Sequence, residues 1–178
     1  MSRIGKLPIA LPKDVKLNIE KDVISIKGPF GTSALSIPPE ILLEVNDEKV
    51  VVKPSSSSKK SRSMHGSFRS LLANDIHGVN QKFEVELQLI GVGYRCEVKG
   101  NIATLRLGYS HGIDMVIPDG VTVTVEANTA IKISGAKKDV ITQFAAQIRS
   151  RRPPEPYNGK GVLYKDEQIL RKSGKSGK

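Results

Sequence analysis

The chain has 178 residues, with 28 Lys and Arg against 18 Asp and Glu, a formal net charge of +10 and a pI near 9.7. Hydrophobic residues make up 38% and Trp is absent, which suffices for one medium core or two small ones built from Ile, Val and Leu. No apolar run nears the ~20 residues of a membrane-spanning helix, MSRIGKLPIALP lacks the apolar stretch of a secretory leader, and the lone Cys96 excludes an internal disulfide and fits a reducing compartment.

From the N-terminus, the first strand expected is VKLNI (15–19), and a polar turn leads to VISIKG (23–28). The connection GPFGT (28–32) and an apolar stretch closed by Ile37-Pro38 come after it, then strands ILLEV (41–45) and KVVVK (49–53). Period-two alternation and β-branched residues mark all of these as strands. The serine run after Pro54 reads as a loop entering a helix with Met64, Phe68 and Leu72 on its apolar face, stopped at Gly78. FEVELQLIGVGY (83–94) begins as a strand shared between this half of the chain and the second.

The series then repeats. GYRCEV (93–98), IATLRLG (102–108), GYSHG (108–112), Ile117-Pro118, VTVTVEA (121–127) and AIKISG (130–135) occur in the same order. A helix carrying Val140, Phe144 and Ile148 closes the copy before Pro153. A shift of 80 lays GPFGT on GYSHG and Ile37-Pro38 on Ile117-Pro118, and a shift of 76 superimposes the two helix faces. Self-similarity at a fixed spacing signals repeated structural units. The expected fold is α+β: two tandem similar domains from an internal duplication, each a small antiparallel sheet packed against one helix. The expected boundaries are 1–81, 82–152 and a basic C-terminal tail, 153–178.

GYSHG fits the G-x-S-x-G elbow that exposes a serine nucleophile, which raises a hydrolase using Ser110 as an alternative. The repeat argues against it. Phe30 occupies the place of Ser110 in the first copy, and no histidine follows His111 to complete a triad. The segment after the pentapeptide, IDMVIP, is strand-like where the elbow needs a helix. A turn between strands is the expectation, with no catalytic residue. GVG (91–93) leads into no helix and reads as a strand bend. Cys96 sits in an alternating strand and reads as a small buried apolar residue. His65, His77, His111 and Cys96 lack the spacing of metal ligands, so neither a metal nor a cofactor is expected.

Charge is uneven. Residues 149–178 hold nine Arg or Lys against three acidic residues, which places +6 of the +10 there. Tyr157 and Tyr164 interleave with the cations, and Pro153, Pro154 and Pro156 read as an extended, stiffened path. With few apolar anchors, this segment is expected to order only on binding. Such cation density suits phosphate neutralisation more than base readout, so nucleic acid is the expected partner. A membrane surface or an acidic protein fits less well, and no amphipathic helix supports the membrane. Lys59, Lys60 and Arg62, with His65 and Arg69 on the helix face opposite Met64, form a second basic group, and Arg3 and Lys6 a short N-terminal arm.

MSRIGKLPI, GVGYRCEVKGN with LRLGYSH, and RSRRPPEPYNGKG together resemble the bacterial-type ribosomal protein L-six family of the large subunit, nearly end to end. The resemblance implies a non-enzymatic ribosomal component, in a bacterial cytoplasmic or an organellar ribosome and not secreted. It also implies contact with large-subunit rRNA near the sarcin–ricin loop, beside other large-subunit proteins at the stalk base, and no small-molecule substrate. An extraribosomal nucleic-acid-binding protein is the alternative. The rRNA-binding residues expected are Arg3, Lys6, Lys59, Lys60, Arg62, His65, Arg69, Arg151, Arg152, Tyr157, Lys160, Lys165, Arg171, Lys172, Lys175 and Lys178. Asn158 stands where the family usually carries Lys, which removes a charge and leaves a hydrogen-bonding side chain.

Overall fold

The computed structural model describes residues 3–46 and 48–175. The chain divides into two compact units, residues 1–82 with 136–138, and residues 83–135 with 139–178.

The first unit contains β1 (Ile9–Ala10), β2 (Lys16–Glu20), β3 (Val23–Gly28), β4 (Gly31–Ser36), β5 (Ile41–Asn46), β6 (Lys49–Pro54) and α1 (Lys59–Asn80). Its strands form two antiparallel sheets, ordered β2-β3-β4 and β1-β6-β5. The second contains β7 (Phe83–Ile90), β8 (Arg95–Lys99), β9 (Ile102–Arg106), β10 (Ile113–Val116), β11 (Val121–Glu126), β12 (Ala130–Gly135), α2 (Lys138–Arg151) and β13 (Gly161–Tyr164). Its sheets are ordered β8-β9-β10 and β11-β12-β7-β13, again antiparallel throughout. The two units therefore share one plan. β7 is the counterpart of β1, pairing with β12 as β1 pairs with β6, and β13 is an addition peculiar to the second unit.

Two expectations change. Each unit holds two small sheets with its helix, where one sheet was expected. FEVELQLI is not shared between copies: Phe83–Ile90 belongs to the second unit, where Leu87 lies opposite Ile131 on one side and Tyr164 on the other.

In the first core, Ile24, Ile26, Val50 and Val52 from the strands meet Phe68, Leu72, Ile76 and Val79 from α1. The buried line of that helix is Ser61, His65, Phe68, Leu72, Ile76 and Val79, while Met64 is only partly buried. Those positions keep the 3.6-residue period more closely than 64, 68 and 72 do. Ser58 caps the helix, its Oγ accepting from the Ser61 N–H at 3.1 Å, so the serine run is the helix entry. Gly78 does not stop α1. The helix continues to Asn80 and closes with the Gln81 N–H donating to the His77 carbonyl at 2.7 Å. Gly78 lies fully inside, beside Val79, whose carbonyl also accepts from the Phe30 N–H at 3.0 Å. In the second core, Leu87, Leu105, Ile131, Ile133, Val162 and Cys96 meet Ile141, Phe144, Ala145 and Ile148 of α2.

GYSHG lies in the loop between β9 and β10, with Gly108 at φ +77°. The first copy makes the same connection with only Pro29 and Phe30, because Gly28 lies directly opposite Gly31. The pentapeptide thus serves as a longer turn, and β10, not a helix, comes after it. GVG is likewise the turn between β7 and β8, with Gly93 at φ +74°.

Candidate nucleic-acid interface

The C-terminal segment is folded, contrary to the expectation that it orders only on binding. After α2 the chain reverses and returns to the sheet. The Arg152 carbonyl accepts from the Val162 N–H at 2.8 Å, the Glu155 N–H donates to the Lys160 carbonyl at 2.9 Å, and the Gly159 N–H donates to the Glu155 carbonyl at 3.1 Å. Pro153, Pro154 and Pro156 therefore line a closed turn and not an extended arm. Gly161 makes the reversal possible: its φ is +152°, and an added Cβ would stand 2.6 Å from Pro154 Cα. Val162 and Leu163 then bury as part of β13, at 0% and 5% exposure. Few apolar side chains suffice because the sheet they join is already formed.

An ion pair fastens the chain beyond β13. Arg149 of α2 donates to both carboxylate oxygens of Glu167, at 3.0 Å from Nε and 2.5 Å from the terminal nitrogen, and the Glu167 carboxylate also accepts from the Tyr164 N–H at 3.1 Å. Arg149 beside Glu167 holds that carboxyl below the usual carboxylate range. Farther on, the Lys172 N–H donates to the Pro156 carbonyl at 2.9 Å. The Arg171 guanidinium lies over Gly159. The basic end is thereby folded back onto its own turn.

Six of the C-terminal cations expected at the interface are presented by this arrangement. Arg151, Lys160, Arg171, Lys172 and Lys175 are exposed, Arg152 is half-buried, and among the described residues none pairs with a carboxylate. Tyr157 is exposed beside them. The Arg152 guanidinium lies 4.9 Å from the Tyr109 ring centre, and the Tyr109 hydroxyl donates to the Arg151 carbonyl at 3.0 Å. The neighbouring hydroxyls of Tyr109 and Tyr94 raise the Arg152 guanidinium above its usual value, so it stays charged at any working pH. Lys165 is exposed but engaged, its ammonium 2.5 Å from Glu86. Lys178 lies outside the described residues.

The first unit supplies less. Arg3, Lys6, Lys59, Lys60 and Arg62 are exposed, with Lys60 paired to Glu40. Arg69 is half-buried and donates to the carbonyls of Leu7 (3.1 Å) and Pro8 (3.2 Å), strapping the N-terminal segment to α1. His65 is turned inward. It is 2% exposed, its Nε2–H donates to the Val52 carbonyl at 2.8 Å, and Gly5 packs on its ring so closely that a Cβ would fall 2.5 Å from Nδ1. The repeat carries a signal for this: a shift of 76 lays His65 on Ile141, which is fully buried.

Sequence reasoning missed Tyr94, Tyr109 and Glu155, which join Arg152, Asn158 and Lys160 around one surface depression. Tyr94 and Tyr109 are more than 40 residues from the basic turn, a separation no local pattern spans. The Ser110 hydroxyl lies 3.4 Å from the ring of the adjacent His111, on the surface. Cys96 is 1% exposed, and burial, with Glu97 adding to it, pushes its thiol up to about 11, far from a reactive thiolate. Among the described residues, no His, Cys, Asp and Glu gather as a metal site, and no helix is long and apolar enough to cross a membrane.

The sequence model described as ribosomal protein L6 matches residues 11–82 and 90–165, one segment in each unit. The chain belongs to the ribosomal protein L6 family. Large ribosomal subunit protein uL6 of Pelobacter propionicus is 48% identical over the whole of this chain and 99% of its own length. The protein of that name from Prochlorococcus marinus is 46% identical, again over the whole chain and 99% of its own length. The uL6c protein of Trieres chinensis is 46% identical over the same span. The L6 family is one of ribosomal proteins and not of enzymes.

Proposed function

We propose that the protein is a non-catalytic structural component of the large ribosomal subunit that binds large-subunit rRNA near the sarcin–ricin loop and the stalk base. There, beside neighbouring large-subunit proteins, it supports the region where translation factors dock. One observation carries the reading: Arg151 at the end of α2, Arg152 and Lys160 on the closed turn after it, and Arg171, Lys172 and Lys175 on the segment bonded to that turn have no carboxylate partner among the described residues. Clustered unpaired cations repel one another in the free protein. A polyanion relieves that repulsion and releases its own counterions. The folded turn spares part of the ordering entropy that a free tail loses on binding.

The test uses the full chain. With about six phosphates neutralised, log affinity for large-subunit rRNA falls against log salt with a slope of roughly −4 to −5. Substituting Gln for Arg171, Lys172 and Lys175 together reduces the slope by about 2 to 3; an unchanged slope overturns the C-terminal anchor. RNA crosslinks in purified ribosomes cluster around the sarcin–ricin region, and crosslinks confined elsewhere overturn the placement.

A further inference from the structure

The depression ringed by Tyr94, Tyr109, Arg152, Glu155, Asn158 and Lys160 is built unlike a phosphate site. It holds ≈ 470 Å³, inside the roughly 300–1,000 Å³ of sites that take a small ligand. Its polar groups are mixed. Arg152 and Lys160 donate, Asn158 can donate and accept, and Glu155 can only accept once ionised. The Glu155 backbone is locked by bonds to Lys160 and Gly159, yet its carboxylate has neither ion pair nor hydrogen bond among the described residues. A carboxylate amid cations opposes phosphate and suits a base edge that donates protons. Tyr109 adds a ring that is 43% exposed, held by its hydroxyl to Arg151 and stacked by Arg152. Unpaired RNA bases are held by such aromatic and guanidinium planes and read along their hydrogen-bonding edges.

We propose that this depression binds one unpaired guanine. Guanine presents two adjacent donors, N1–H and the 2-amino group, to a carboxylate, and two acceptors, O6 and N7, to cations. Glu155 takes the donor edge, Arg152 or Lys160 the acceptors, and Tyr109 the face. This rests on the RNA-binding reading above and deepens it, by adding one position of base readout to a mainly electrostatic contact.

The test measures binding of the full chain to short uridine-rich oligoribonucleotides with one central guanosine, inosine (which lacks the 2-amino group), adenosine or uridine. Guanosine is expected to bind about tenfold more tightly than the others. Glu155→Gln abolishes that preference, while the all-uridine oligomer still binds. Tyr109→Ala weakens the guanosine oligomer by about tenfold, whereas Tyr109→Phe, which keeps the ring and loses only its bond to Arg151, weakens it less. Equal affinity for all four oligomers with normal salt dependence sinks the guanine site and leaves RNA binding standing. Retained preference in Glu155→Gln also overturns it. Failure to bind any oligomer at low salt overturns both this site and the RNA-binding reading beneath it.

Discussion

Arg149 and Glu167 lie 18 positions apart in the chain and meet in a two-point ion pair. In a tally of charge they cancel. In the folded unit they clasp the C-terminal segment to α2, so the exposed cations beyond residue 167 start from a fixed point. Because the folded-state pKa of Glu167 is lowered, its contribution is present above the ordinary carboxylate value and is lost as pH falls through the folded value. Glu167→Gln is therefore expected to lower stability by ~0.5–1 kcal/mol at neutral pH, with wild type and variant converging in acid once pH falls below the lowered folded value, as denaturant melts at a series of pH values would read. His65 is the converse case. As a residue type it suggests phosphate contact; by its place in the repeat it is a core position, filled by Ile141 in the second copy. Residue type reads chemistry well but not exposure, because exposure depends on what the fold lays over the side chain.

At the scale of elements, strands such as Val23–Gly28 and Ala130–Gly135 were legible nearly residue by residue, since β-branched alternation is written locally, whereas β1 went unread and β4 was taken for a connection and an apolar stretch. Helix boundaries were less so. Gly78 reads as a stop in isolation, but it is buried within α1 and flanked by Ile76 and Val79 of the core, where packing outweighs the ~1 kcal/mol that glycine costs a helix. The start of α1 rests on Ser58, and Ser58→Ala is expected to destabilise the protein by ~1 kcal/mol, measured by urea unfolding, with no change in RNA affinity. A variant as stable as wild type would show that the cap contributes nothing. β13 was not legible at all: GVLY is four residues long and set among cations, prolines and glycines. It is a strand only because Ile90, Leu89, Gln88 and Leu87 stand ready to pair with it.

For the molecule as a whole, β13 decides which part of the basic end can be removed. Deleting residues 157–178 takes away Val162 and Leu163, each worth ~1.5–3 kcal/mol of burial, together with the ladder to β7. That loss is comparable to the ~5–15 kcal/mol stability of a whole domain. Hydrogen exchange should find amide protection lost through β7–β12 in this deletion, while Ile24 and Ile26 stay protected. Ending the chain after Gln168 should spare both sets; protection in β7–β12 surviving the longer deletion would contradict the structural role given to β13. Charge placement and the repeat were enough to read the α+β class, the duplication and the basic C-terminal end, and motifs such as RSRRPPEPYNGKG carried the resemblance to the family, because each is written in local residue pattern or internal spacing. Tertiary structure alone decided that the basic end is a folded turn and strand, and that Tyr94 and Tyr109 join Glu155 and Arg152. Those facts depend on pairing and burial between residues remote in the chain, and such contacts leave no periodic mark in either partner's neighbourhood.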